Sequence, residues 1–190
     1  MRIAIDIDST LHHYWDQLSA VVLRRHGIEM PYEGQTTWAI GPLEPEQLRA
    51  CVRETHSAEL IAAARPYPGA VDAVNGWAQR GHFIHITSHR SDEAHEPTAD
   101  WLAAIGLRFD ELYCSFDKIS RCREIEIDLL IDDSPVNLAH AAEAGIAGAT
   151  LRHPWTGELA DGPPVLVADD WPGLAAAVEP LLVRDESRRS

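Results

Sequence analysis

Ile3-Ala4-Ile5-Asp6-Ile7-Asp8-Ser9-Thr10 is a short apolar run that breaks off in two carboxylates. Its length and β-branched content read as a buried strand. Two later runs have the same shape. His82-Phe83-Ile84-His85-Ile86-Thr87 gives way to Ser88-His89-Arg90, and Ile127-Asp128-Leu129-Leu130-Ile131 ends in Asp132-Asp133. Between them lies helical periodicity. Leu18, Val21, Val22 and Leu23 form a stripe that predicts a helix over 14–26, stopped by Gly27. Pro45 opens a second helix carrying Leu48, Cys51 and Val52, and a short third one spans 57–64. Further helices are predicted over 70–80, 98–105, 118–125, 135–144 and 173–182, with a short strand over 149–152.

Strands alternating with helices predict an α/β fold with a three-layer, Rossmann-like parallel sheet. Such sheets bind ligands beyond the carboxyl ends of their strands, near the point where strand order reverses. Asp6/Asp8, Thr87/Ser88 and Asp132/Asp133 all fall at such ends. The segment 14–64 is helical, lies between the first two sheet elements, and reads as an inserted cap. Arg65-Pro66-Tyr67-Pro68-Gly69 marks its far boundary. The expected core is therefore 1–13 with 65–183, followed by a polar, flexible tail over 184–190.

The formal net charge of −14 disfavours a nucleic-acid binder, which needs a basic face. A small anionic metabolite is still compatible, because a bound cation reverses the field locally. No apolar run approaches the roughly 20 residues of a membrane span. Nothing at the N-terminus resembles a signal peptide, so a cytoplasmic location is expected. Cys51, Cys114 and Cys122 show no CxxC spacing and read as reduced thiols.

Asp6 and Asp8 repel one another unless a cation lies between them or one is protonated. Both arrangements suit phosphoryl transfer, with Asp6 as nucleophile and Asp8 as acid and base. Two solvated carboxylates in a loop are the bland alternative, of about equal weight for this motif alone. The Thr10 hydroxyl is placed to steady the Asp8 loop, or simply to cap a turn. Thr87 and Ser88 are candidate phosphate-binding hydroxyls, or ordinary strand-end caps. Arg90 either adds charge for the substrate or faces solvent. Lys118 would neutralise Asp6 and the phosphoryl oxygens, although a lone lysine is usually a surface residue. Asp132 and Asp133 would complete with Asp6 an oxygen site suited to Mg²⁺. Trp38, Tyr32, Tyr14 and His13 are the side chains of interest in the cap. Trp38 either stacks on a substrate ring or packs the cap against the core.

Asp6-Ile7-Asp8-Ser9-Thr10, Thr87, Lys118 and Asp132-Asp133 together resemble, in order, the four motifs of haloacid dehalogenase superfamily phosphatases. The resemblance implies a Mg²⁺-dependent phosphomonoester hydrolase that forms an aspartyl phosphate on Asp6. It implies that Asp6, the main-chain carbonyl of Asp8, Asp132 and Asp133 hold the metal, and that Thr87 and Lys118 hold the phosphoryl group. The partner implied is a small phosphorylated metabolite, with room for a homodimer. A closer resemblance is to 5′(3′)-deoxyribonucleotidases. It rests on the position of the helical insert, on Pro68-Gly69-Ala70-Val71, on 128–133 and on Ala168-Asp169-Asp170-Trp171. Ser9-Thr10, His89-Arg90 and the region 90–109 depart from that group.

Asp8 argues against a dehalogenase, which needs no acid at that position. The absence of lysine from 14–64 argues against a phosphonatase, which needs a cap lysine for Schiff-base chemistry. A phosphomutase, and a binding protein that keeps the fold without catalysis, remain as alternatives.

Overall fold

The computed structural model describes residues 1–115, 117–159, 162 and 164–189, the last four of these as backbone only. In chain order the elements are β1 (Arg2–Asp6), α1 (Tyr14–His26), α2 (Pro45–Thr55), α3 (Ala58–Ala63), α4 (Ala70–Gln79), β2 (Phe83–Ser88), α5 (His95–Ala104), β3 (Glu111–Cys114), α6 (Lys118–Glu124), β4 (Leu129–Ile131), α7 (Pro135–Glu143), β5 (Ala147–Leu151), β6 (Val165–Ala168) and α8 (Trp171–Arg189). Among the described residues no helix is long and apolar enough to cross a membrane.

The six strands form one parallel sheet in the order β3-β2-β1-β4-β5-β6. Successive side chains on a strand face opposite ways, and the register turns this into three layers. Ile3 and Ile5 pair with Ile84 and Ile86 on one side and with Leu129 and Ile131 on the other. These six side chains lie in the main core with Val74 and Trp77 of α4, Leu102 of α5 and Leu174 of α8. Ala4 and Leu130, on the opposite face, meet Cys122 of α6 and Ala141 of α7. Burial on both faces explains why the central strands read as continuous apolar runs. Strand order reverses between β1 and β4, and Asp6 and Asp132 sit at that switch point.

Helix ends follow local chemistry. Gly27 takes φ +68° and donates its N–H to the Leu23 carbonyl, closing α1. Glu44 and Gln47 form a capping box ahead of Pro45. Ser134 caps α7 immediately after the Asp132-Asp133 pair, accepting from the Asn137 N–H. Gly69 takes φ +83°, a conformation that favours glycine, and a Cβ there would press on Pro172 at 3.1 Å.

The helices α1 and α2 gather a core of their own around Trp15, Leu18, Val22 and Cys51. Trp155, from the segment after β5, enters that cluster and ties it to the sheet. Ile61 of α3 lies instead in the main core.

Three expectations need correction. The edge strands β3 and β6 are not among the expected elements. Each has four residues and is largely half-buried, so neither carries a strong apolar signal. The helix expected over 98–105 begins earlier, at His95. The last helix runs to Arg189, through most of the segment read as a flexible tail, while residue 190 is outside the described residues. The three cysteines are free and buried.

Candidate active site

The loop after β1 folds back on itself. The N–H groups of Thr10 and Leu11 both donate to the Ile7 carbonyl, at 3.2 and 2.8 Å, and Ser9 takes φ +62°. A side chain with a Cβ is uncommon in that region. The turn keeps Asp6 and Asp8 over the switch point.

Asp6 is buried, and its Oδ1 accepts from Lys118 Nζ at 2.7 Å. The same ammonium donates to Asp132 Oδ2 at 2.8 Å. Lys118 is the first residue of α6, so the helix start delivers it under the strand ends. Asp132 is fixed further by the Ser134 N–H at 2.9 Å and by the Asn137 amide at 3.1 and 3.2 Å. Carboxylate oxygens of Asp6, Asp132 and Asp133 all lie within 4.8 Å of one another, and all three residues are buried.

Three buried acids against one ammonium leave an excess of negative charge. Burial pushes Asp6 up to about 7; Lys118 opposes this, and Asp132 and Asp8 add to it. Burial also raises Asp133 well above the usual carboxylate range, with Asp6 and Asp132 adding repulsion. Burial alone would lower Lys118, but Asp132 and Asp6 outweigh it and raise the ammonium. With all three acids ionised the cluster is two positive charges short of balance. An all-oxygen donor set of this kind fits a hard divalent cation.

Asp8 has different surroundings. Burial would raise it, but Arg90, with His12 and His56, holds it well below the carboxylate range. Arg90 grips it with two nitrogens, at 2.7 and 3.3 Å, and spends a third on Thr98 Oγ1 at 3.0 Å. His12 Nε2 stands 3.0 Å from Asp8 Oδ1. Arg90 is therefore buried against Asp8 and Thr98 and does not face solvent.

Thr87 is the register partner of Asp6 and shares its face, and its buried hydroxyl has no hydrogen-bond partner among the described residues. An orphaned hydroxyl beside the acidic cluster and Lys118 is a donor open to a ligand oxygen. Ser88, one residue on, falls on the other face with Ile84 and Ile86, away from Asp6. The Thr10 hydroxyl makes no hydrogen bond among the described residues either. That loop is steadied through the Thr10 carbonyl, which accepts from Trp171 Nε1 at 2.9 Å.

A cavity of about 430 Å³ opens over the cluster, reached by Asp6, Asp8, Lys118, Asp132 and Asp133 at its floor. Its walls are Tyr14, Trp15, Leu18, Trp38, Ile40 and Trp155. Trp38 is 38% exposed and stands edge-on to Trp155 with centroids 6.0 Å apart. His89 also lines the cavity; burial, with Lys118, lowers it to about 4 and keeps it neutral. The sequence reading missed Trp155, whose Nε1 donates to the Asp133 carbonyl at 3.0 Å, and His12 and His56, which flank Asp8. His12 lies four residues beyond Asp8, and that spacing was the available signal. Trp155 and His56 carried none.

A family model described as 5′ nucleotidase, deoxy (Pyrimidine), cytosolic type C protein matches residues 1–154. No curated protein sequence matches the chain. Among solved structures, a HAD family hydrolase from Deinococcus radiodurans R1 with bound phosphate and sodium is similar at TM-score 0.67 and 16% identity, over 95% of this chain and 96% of that one. A predicted phosphoglycolate phosphatase from Haemophilus somnus 129pt gives TM-score 0.65 at 16% identity, over 96% and 97%. A β-phosphoglucomutase from Clostridium difficile gives 0.61 at 12%, over 97% of each chain. At such identities the likeness is one of fold.

Proposed function

The chain belongs to the 5′ nucleotidase, deoxy (pyrimidine), cytosolic type C family and is a phosphatase of the haloacid dehalogenase superfamily, and from that premise we propose that it hydrolyses nucleoside 5′-monophosphates through an aspartyl phosphate on Asp6. The observation that carries this reading is the buried trio Asp6, Asp132 and Asp133 with Lys118 against it. The carboxylates of the trio and the Asp8 main-chain carbonyl would hold Mg²⁺. When bound, the ion supplies charge that neutralises the trio and polarises the phosphoryl group.

The chain's own residues divide the remaining work. An Asp6 oxygen attacks phosphorus in line. Lys118 lies against that oxygen and faces the charge that builds on the phosphoryl oxygens. The Thr87 hydroxyl, orphaned beside Asp6, donates to one of them. Asp8 gives a proton to the leaving oxygen and then takes one from the water that opens the aspartyl phosphate. Arg90 keeps Asp8 charged in the free protein. An arriving phosphate dianion opposes that pairing and favours the proton on Asp8. Residues 14–64 act as the cap, and the aromatic walls of the cavity take a flat leaving group such as a nucleobase. The free, buried cysteines suit a reducing, cytoplasmic setting.

The test is phosphate release with Mg²⁺ across nucleoside monophosphates, sugar phosphates and aryl phosphates. Preference for nucleoside monophosphates supports the reading. Preference for sugar phosphates removes the nucleotide from it, and no release from any ester overturns the phosphatase itself.

A further inference from the structure

We propose that His56, carried by the inserted helices, is a further catalytic residue that donates a hydrogen bond to the leaving-group oxygen beside Asp8. The inference rests on the phosphatase reading above and adds to it a residue that the family's motifs do not contain.

His56 follows directly on α2, and its backbone N–H closes that helix on the Val52 carbonyl at 3.1 Å. Its ring lies tilted against Tyr14, with centroids 5.9 Å apart. Tyr14 is itself held by a 2.7 Å hydrogen bond between its hydroxyl and Thr55 Oγ1. Both rings line the cavity over the acidic cluster. The packing of α1 on α2 thus aims the imidazole at the site.

The two oxygens of Asp8 are not equally engaged. Oδ1 takes Arg90 Nη2 at 2.7 Å and His12 Nε2 at 3.0 Å. Oδ2 has Arg90 Nε at 3.3 Å and His56 Nε2 at 3.3 Å, and the His56 contact is not a formed hydrogen bond. Oδ2 is the less committed oxygen and the one next to His56, and both residues line the cavity. The His56 side chain is only 11% exposed, so a nitrogen held there by no more than the long Asp8 contact is costly. An oxygen within hydrogen-bond reach of both Asp8 Oδ2 and His56 Nε2 would give the imidazole a full acceptor and Oδ2 a second contact.

The leaving oxygen of a phosphomonoester is such an atom. As an Asp6 oxygen forms its bond to phosphorus, the bond from phosphorus to the leaving oxygen breaks and its electron pair stays on that oxygen. The Asp8 proton closes the new O–H bond. The His56 N–H stays on nitrogen throughout and bonds to the oxygen while charge builds on it. Arg90 opposes protonation of Asp8, so a second donor at that oxygen matters most when the leaving group is a poor one.

The measurement is kcat and KM for a series of aryl and alkyl phosphates of graded leaving-group acidity, with Mg²⁺. His56→Phe keeps a ring against Tyr14 and removes the donor, and His56→Gln restores an N–H. With His56→Phe, kcat for alkyl esters should fall about ten- to hundredfold, and at least roughly tenfold more than for 4-nitrophenyl phosphate. KM should barely move, and His56→Gln should recover most of the difference. Equal losses along the series, no loss, or a His56→Gln variant no better than His56→Phe overturns the inference. An inactive parent chain overturns the phosphatase reading, and the inference with it.

Discussion

Arg90 meets Asp8 through both carboxylate oxygens, with Nη2 2.7 Å from Oδ1 and Nε 3.3 Å from Oδ2. The guanidinium is 1% exposed, and its other partner is the Thr98 hydroxyl. Taking away the carboxylate strands a buried cation. Asp8→Ala should therefore cost about 3–5 kcal/mol in urea unfolding, beyond its loss of activity. Arg90→Lys keeps the charge but cannot fork, and should lower kcat while leaving the fold intact. Unchanged unfolding in Asp8→Ala would show that the pair is already well solvated.

Asp6→Asn tests the nucleophile. The amide fills the same space beside Lys118, and Asp132 still holds the ammonium at 2.8 Å. Circular dichroism should be unchanged, while phosphate release should fall by at least about a thousandfold. Release at the parent rate rules out an aspartyl phosphate on Asp6.

The acidic trio makes metal binding and pH interdependent. In the metal-free protein burial pushes Asp6 up to about 7, and Asp133 is raised for the same reason. A carboxyl raised on folding stabilises the fold most at acid pH, below its unfolded value near 4, and that contribution is lost as pH rises through about 7. Asp8 works the other way: its contribution is lost only as pH falls below the usual carboxylate range. The metal-free protein should thus melt lower at about pH 8 than at about pH 5. Mg²⁺ binds the deprotonated trio, so it should raise Tm more at about pH 8 than at about pH 6. EDTA should abolish phosphate release, and Mg²⁺ should restore it. Equal Mg²⁺ shifts in calorimetry at the two pH values would show that the trio does not titrate between them.

Trp155 links the cavity wall to the acids. Its ring stacks on His153 at 4.6 Å, and its N–H holds the Asp133 carbonyl at 3.0 Å. Trp155→Phe keeps most of the wall but leaves a buried carbonyl unpaired, at a cost of about 1–3 kcal/mol in thermal or urea unfolding. KM for nucleoside monophosphates should rise as the wall loosens. A variant of parent stability would mean that water replaces the indole.

The strand ends were legible because they are local. Asp6, Asp132 and Asp133 each follow an apolar run directly, and a parallel sheet leaves such residues one place to go. The helices over 14–26 and from Pro45 onward were legible for a similar reason, since a periodic stripe and a cap lie within a dozen residues. The pairing of Arg90 with Asp8, and His56 altogether, were not, because Asp8 is remote from both in sequence and no spacing rule joins them. The indoles of Trp155 and Trp171 both hold backbone carbonyls of distant segments, a contact that leaves no mark on a side-chain pattern. The edge strands escaped for want of length. Glu111-Leu112-Tyr113-Cys114 is four residues long, and only Cys114 of these is fully buried.

β1 is made before either of its neighbours, yet it is the strand they enclose. Ile3 pairs with Ile84 on one side and with Leu129 on the other. A nascent chain therefore carries Ile3, Ala4 and Ile5 without their full cover until β4 has left the ribosome, an interval in which chaperones can engage it. Asp132 and Asp133 follow β4 immediately, so the acidic trio is assembled by the same docking that seals the first strand. A chain that stops short of β4 thus lacks both the cover for its first strand and two of the three acids: closing the apolar edge and gathering the acids are one event.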